Sequence, residues 1–402
     1  MTSPIAPFDD TPTPVASAGL VVIGGGPAGK AAALAYRESG GSGRVVLISA
    51  EDTLPYRRPP LSKGFLGGDV AEDEMLQRPA SDYADRQIEV WLADPVTSLD
   101  TGERMVRTTS GREISYESVV LATGVAAVVP PIEGGDHPAV ARLRSLDDAR
   151  FLKTAAESAQ RAVVIGSGFI GCEAAATLAG RGLAVTLVTA EELPQLARLG
   201  RAVAQRIAGW LTDAGVTIAA SEPARSIDPD GSVRTDMSSH HGELVLAALG
   251  VTPNSAVAAA AGLELADGRI VVDSSMATAA PGVYAAGDVV FAENASAGRR
   301  LKVEHWNDAE RMGQIAGRAA AGVADTWTDV PGFFSTIAGH TIKYRAWGDG
   351  YDGADVVEHD DGGFTVWYST EGKTVGVLTN DADDDLERGA ELIAQGAPPP
   401  AS

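Results

Sequence analysis

The sequence predicts an α/β fold: two units of parallel strands layered with helices, then a small α+β domain. Three observations carry that expectation. The apolar run Leu20 to Ile23 enters the turn Gly24-Gly25-Gly26-Pro27-Ala28-Gly29 and an Ala-rich helix to about Ser39. The same order recurs where Arg161 to Ile165 enters Gly166-Ser167-Gly168-Phe169-Ile170-Gly171 and a helix to about Arg181. From Val330 onward the pattern changes to short aromatic strands with Gly turns, at Thr341 to Trp347, Phe364 to Tyr368 and Thr374 to Leu378.

Each element follows from its residues. In the first unit the β-branched run Val45 to Ile48 follows the helix, completing a strand–turn–helix–strand. The segment Met105 to Gly124 reads as strands turning at Ser110-Gly111 and ending at Ala122-Thr123-Gly124. In the second unit Ala184 to Val188 is the following strand. The fingerprints lie 166 − 24 = 142 residues apart, which means two separate nucleotide domains rather than two halves of one sheet. The chain then offers Leu249-Gly250, Gly268 to Asp273, Tyr284 to Asp288 and a helix over about Asn307 to Ala321. The expected division is a tail at 1–18, a discontinuous domain of 19–125 and 252–326, a second domain of 126–251, and a C-terminal domain of 327–402.

Both glycine runs are GxGxxG fingerprints of Rossmann-like dinucleotide-binding domains, in full strand-to-helix context. The first glycine makes the tight turn and the second lets backbone approach a pyrophosphate. The third packs helix on strand, and the helix N-terminus supplies partial positive charge. The ribose-binding acid belongs at the end of the second strand. Glu51 and Asp52 are the candidates in the first unit. In the second, Thr189 and Ala190 come first, then Glu191 and Glu192. No Arg stands at that strand end to meet a 2′-phosphate, Arg198 being the nearest, which leans towards NADH.

The balance of 32 Lys and Arg against 54 acids, 32 − 54 = −22, argues against binding nucleic acid or an anionic membrane. No run approaches the ~18 apolar residues of a membrane helix. The 402 residues contain one cysteine, Cys172, so no dithiol pair exists and a cytoplasmic location is expected. Cys172 reads as a small buried residue. Residues 1–18 and Gly396 to Ser402 read as unstructured, and the acidic run Asp381 to Asp385 as a solvated loop. The six histidines show no ligand spacing, so no metal is expected.

The stretch Leu54-Pro55-Tyr56-Arg57-Arg58-Pro59-Pro60-Leu61-Ser62-Lys63 resembles the PYxRPPLSK segment of FAD-dependent ferredoxin reductases of the putidaredoxin reductase and rubredoxin reductase type. Ala122-Thr123-Gly124, Glu173 in the second fingerprint, Gly250 to Asn254, Tyr284 to Asp288, Glu304-His305-Trp306 and Pro331 to Ser335 fit that family in order. The resemblance spans roughly residues 19 to 380.

That resemblance implies FAD and NAD(P)H as cofactors. It implies that Asp288, after Gly287, accepts from the ribityl hydroxyls and that Arg58 and Arg144 lie at the FAD. Val96 contacts the adenine through its backbone, and Lys63, His305, Trp306 and Phe334 lie near the flavin ring. Glu173 bonds the nicotinamide carboxamide. This sequence departs from the family at three places. Ala50 stands where an acid is common, leaving Glu51 for the ribose. Phe334 replaces a Trp, and Thr189 stands where NADH-preferring relatives carry Glu.

The implied activity is hydride transfer from NAD(P)H to FAD, then single electrons to a small acidic iron–sulfur ferredoxin feeding a P450 or ring oxygenase. Rubredoxin, quinone or oxygen remain open as acceptors, as does an apoptosis-inducing-factor-like interaction protein, and the chain is a monomer or homodimer. Arg299, Arg300, Lys302 and Lys343 are the candidate docking charges.

Overall fold

The computed structural model describes residues 16–360 and 362–400. Strand β1 (Ala16–Ile23) leads through the first glycine turn into helix α1 (Pro27–Glu38) and strand β2 (Val45–Ile48). Ala16 to Ala18, expected in the tail, instead pair with Ile114 to Tyr116. Residues 1–15 lie outside the described ones.

Strands β3 (Ile88–Trp91), β4 (Val96–Asp100), β5 (Met105–Thr108) and β6 (Glu113–Leu121) complete the first sheet in the order β3-β2-β1-β6-β5-β4. β1 runs parallel between β2 and β6, so its apolar run is covered on both faces and Leu20 to Val22 are fully buried.

The link β7 (Val125–Ala127) leads to a second sheet, formed by β8 (Val140–Ala141), β9 (Arg161–Ile165), β10 (Ala184–Val188), β11 (Val216–Ala219) and β12 (Leu244–Ala247). Its order is β11-β10-β9-β12-β8, parallel throughout. Helices α2 (Leu146–Ser158), α3 (Phe169–Gly180) and α4 (Leu196–Asp213) belong to this part of the chain. Strand β13 (Val251–Pro253) pairs antiparallel with β7, and β14 (Val283–Ala285) rejoins the first sheet beside β6. The chain thus leaves the first sheet after β6 and comes back beside the end of that strand.

Helix α5 (Trp306–Ala320) crosses α1 with almost no side chain between them. A Cβ on Gly313 or Gly317 would collide with the carbonyl of Ala28 or Ala32. This close crossing is the reason small residues stand on both helices.

The C-terminal domain is an antiparallel sheet of β15 (Gly332–Ile337), β16 (His340–Ala346), β17 (Gly353–Glu358), β18 (Phe364–Thr370) and β19 (Lys373–Asn380), in the order β15-β16-β19-β18-β17. The acidic run expected to be a loop opens helix α6 (Asp383–Gln395) instead. Three Asp in a first turn oppose the positive end of the helix dipole, while Gly389 and Ile393 pack on Val377. The expected tail after Gly396 is fastened where Ala397 accepts from the Thr374 N–H, and residues 401–402 lie outside the described ones. No helix among the described residues is long and apolar enough to cross a membrane.

Candidate functional site

Both fingerprints fold into the same device. Gly24 has φ +124° and Gly166 φ +102°, and a Cβ on either would strike the carbonyl of the neighbouring strand's end, Ala122 or Ala248. Gly29 and Gly171 lie against the carbonyls of Gly24 and Gly166, where a Cβ would also collide. The middle glycines differ. Gly26 and Gly168 are extended N-caps, with φ −78° and −64°, which any residue adopts. A Cβ on either meets no protein atom within 4 Å. The protein itself gives no reason for glycine there. Each turn is a cradle with room for a phosphate against a helix N-terminus that carries no acidic residue in its first turn.

The first cradle opens into a cavity of about 720 Å³. It brings together Gly24, Gly26, Ala28, Glu51, Arg58, Val96, Thr123, Gly124, Arg144, Gly287 and Asp288, all expected from sequence. Glu51 is fixed by Arg58 at 2.5 Å and by the Tyr56 hydroxyl at 2.6 Å. Tyr56 also accepts from Arg58 and from the Leu146 N–H. Burial raises the Tyr56 phenol above its ordinary pKa, keeping it a neutral donor to Glu51. Arg144 donates to Asp288 at 2.8 Å and to the Val125 carbonyl. Gly287 has φ +82° and sits where α1 and α5 converge, its α-carbon facing Ala28 and Ala309. Thr123 exchanges two hydrogen bonds with Asn254, pinning the segment after β13 to the end of β6.

The second cluster lies at the seam between α3, the segment after Tyr56, and the C-terminal sheet. Glu173, nearly fully buried, accepts from Lys63 at 2.9 Å, Ser62 at 2.5 Å, Ser335 at 2.7 Å and the Thr336 N–H at 3.3 Å. A carboxylate offers about four acceptor positions, so those of Glu173 are filled from within the protein. In this structure Glu173 holds Lys63. The Lys63 ammonium lies 5.9 Å from the centre of the Phe334 ring, and Phe334 is 42% exposed. His305 precedes Trp306 at the start of α5, and its ring packs 5.1 Å from Phe333 and bonds Asp308. Asp308 also accepts from the Gly332 N–H, joining α5 to β15. Phe169, next to the partly exposed Ile170, meets Phe333 at 4.5 Å.

At the second cradle, buried Thr189 hydrogen-bonds Ser167 at 2.7 Å inside the glycine turn. Gln195, also buried, donates to the Ser167 carbonyl. Glu191 accepts from the Ala197 N–H, and the Gly250 carbonyl accepts from the Val128 N–H. Cys172 is fully buried, and burial raises its thiol well above the ordinary range, in keeping with an inert packing residue.

The expected basic docking patch is mostly neutralised. Arg299 pairs with Asp349, Lys302 with Asp267 and Lys343 with Asp383, leaving only Arg300 of the four without an ion-pair partner among the described residues. In a chain this acidic, a carboxylate lies within reach of three of these four cations. Sequence reasoning missed Ser62, Ser335, Asp148, Asn254, Gln195 and Arg142, each of which touches or lines the site. Ser62 and Ser335 stood inside recognised motifs, which was the available signal. Asn254 likewise closed the recognised run Gly250 to Asn254, while Asp148, Gln195 and Arg142 are placed by folding.

The sequence pattern of the pyridine nucleotide-disulphide oxidoreductases matches residues 18–313. The chain belongs to that family. This oxidoreductase is 32% identical to a rubredoxin-NAD(+) reductase of Pseudomonas putida, over 81% of this chain and 85% of the relative. It is 33% identical to the ferredoxin--NAD(+) reductase subunit of a benzene 1,2-dioxygenase system from the same organism, over 81% and 79%. Its fold matches a ferredoxin reductase of Rhodopseudomonas palustris with TM-score 0.89 and 28% identity, over 94% of this chain and 95% of the other. It also matches putidaredoxin reductase in its covalent complex with putidaredoxin, with TM-score 0.87 and 26% identity over 94% and 93%.

Proposed function

We propose that this oxidoreductase is an NAD(P)H:ferredoxin reductase, holding FAD at the first cradle and the nicotinamide nucleotide at the second. The observation that carries this reading is the pair of open middle glycines, Gly26 and Gly168, each left vacant by the protein at a helix N-terminus. Relatives named ferredoxin--NAD(+) reductases support ferredoxin as the electron acceptor. FAD, once bound, supplies the exchange between hydride and single electrons that a nicotinamide alone does not provide.

In this reading residues 19–125 and 252–326 hold FAD, 126–251 hold the nicotinamide nucleotide, and 327–402 cover the seam. Gly24, Gly26, Ala28 and Gly29 receive the diphosphate of FAD. Glu51, oriented by Arg58 and Tyr56, meets the adenosine ribose, and Val96 lies by the adenine. Thr123, Gly124, Arg144, Gly287 and Asp288 line the ribityl path. Gly166, Gly168, Ile170, Gly171, Glu191 and Gly250 serve the second nucleotide.

Lys63 presents a cation beside Phe334, and Glu173 is the positioning residue that keeps it there. His305 and Trp306 open α5, whose dipole favours negative charge at its N-terminus. Hydride transfer needs proximity and orientation rather than an acid–base residue. Electrons leave directly, since Cys172 is alone and buried.

The test is cytochrome c reduction with NADH or NADPH, with and without an added iron–sulfur ferredoxin. Reduction that requires the ferredoxin is expected. Equal rates without it would contradict the reading.

A further inference from the structure

We propose that Arg142 is an anchoring residue for the diphosphate of FAD, an inference that rests on the functional reading above. Arg142 follows β8 in the run Arg142-Leu143-Arg144. Leu143 is buried in the core, and alternation along an extended segment sends its two neighbours to the opposite side. Both arginines line the large cavity.

The remaining charges of that cavity are already engaged. Arg58 is held by Glu51, and Arg144 by Asp288 and the Val125 carbonyl. Asp148 accepts from the backbone N–H groups of Arg144 and Ser145. Arg142 has no carboxylate, carbonyl or ring partner among the described residues. The other such cations, Arg57, Arg300, Lys373 and Arg388, all stand exposed to water. Arg142 alone of these is half-buried, and in a chain of net charge −22.

A guanidinium withdrawn from water without a partner is unfavourable until an anion arrives. The diphosphate is the anionic part of FAD, and the Gly26 cradle of this same cavity is where it is received. The dipole of α1 offers it only about half a positive charge. The planar donors of Arg142 suit a phosphate in a way that ion-paired Arg58 and Arg144 do not.

The experiment is titration of the apoprotein with FAD, read by flavin fluorescence, for wild type, Arg142→Gln and Arg142→Lys at low and high salt. Arg142→Gln is expected to raise the Kd about tenfold or more at low salt, with a smaller gap at high salt. Arg142→Lys is expected to bind FAD between wild type and Arg142→Gln, because it keeps the charge and loses the planar donors. The apoproteins should melt together, because Arg142 has no partner in the protein to lose. A Kd for Arg142→Gln within about twofold of wild type, where the loss of a charge-assisted bond should show, overturns the assignment. So does Arg142→Lys binding as weakly as Arg142→Gln. Wild-type protein that takes up no FAD overturns this assignment together with the functional reading beneath it.

Discussion

The two glycine cradles share their backbone construction almost bond for bond and differ at the end of the next strand. In the first, the Ser49 hydroxyl accepts from the Glu51 N–H, while Ser49 and Glu51 carbonyls accept from Asp94 and Ala93. In the second, Thr189 accepts from the Glu191 N–H, and the carbonyls of Thr189 and Glu191 accept from Glu222 and Ser221. Yet Gly25 faces Ser49 where Ser167 bonds Thr189, and Glu51 is pinned by Arg58 and Tyr56 where Glu191 turns to the Ala197 N–H. The phosphate end of such a site is dictated by sterics common to both copies. The ribose end is free to vary, and there the copies part.

The sharpest way to break this comparison is to fill each cradle in turn. Gly26→Val should leave the fold intact and weaken FAD binding on the order of 100-fold, because only the ligand contests that space. Gly168→Val should keep its FAD and instead raise KM for the nicotinamide nucleotide. Binding titrations and steady-state kinetics check both, and an exchange of the two outcomes would reverse the assignment of the cradles.

At the seam between them, Lys63→Met should cost about 2 kcal/mol of stability, since it strands a buried carboxylate whose cation was partly exposed. It should also slow reduction by NAD(P)H. Ser335→Ala removes one of the four donors to Glu173 and should cost about 1 kcal/mol by chemical denaturation. A Lys63→Met protein as stable as wild type would show that the pair does not join the halves.

Thr189→Val tests whether the Ser167 bond shapes the second cradle. It should raise KM for the nucleotide several-fold, as expected for loss of the hydroxyl's two bonds, to Ser167 and from the Glu191 N–H, and leave FAD binding alone.

The smallest effect belongs to the turn after α5. Hydrogen bonds from Arg311, with desolvation opposing, hold the Asp325 carboxyl down to about 2. A folded-state pKa below the ordinary 3.8 contributes stability that is present above pH ~4 and lost as pH falls towards 2. Asp325→Asn should therefore melt below wild type at pH 7 and together with it near pH 2.

Much of this was legible before folding was considered. Local rules wrote the glycine turns, the Ala-rich helices and the Leu20–Ile23 and Val45–Ile48 strands, and the chain's return at Tyr284 to Asp288 came with a motif. The Lys63–Glu173 bond was not legible as a bond, because its ends lie 110 residues apart, one after β2 and one in α3. Each residue was placed near the flavin or nicotinamide separately. The docking charges failed for the same reason, since Asp349, Asp267 and Asp383 reach them only through tertiary structure. Helix α6 was hidden by its opening acids: the run Asp383 to Asp385 reads as solvated until Leu386, Gly389 and Ile393 are seen on one face. Arg142 carried no signal at all in the sequence, being one arginine among many until the cavity formed around it.

Anaerobic addition of NADH, and separately of NADPH, to the FAD-loaded protein tests the facing of the two cradles most directly. Flavin absorbance should bleach promptly with at least one of them. A yellow protein whose spectrum neither nucleotide changes would contradict it.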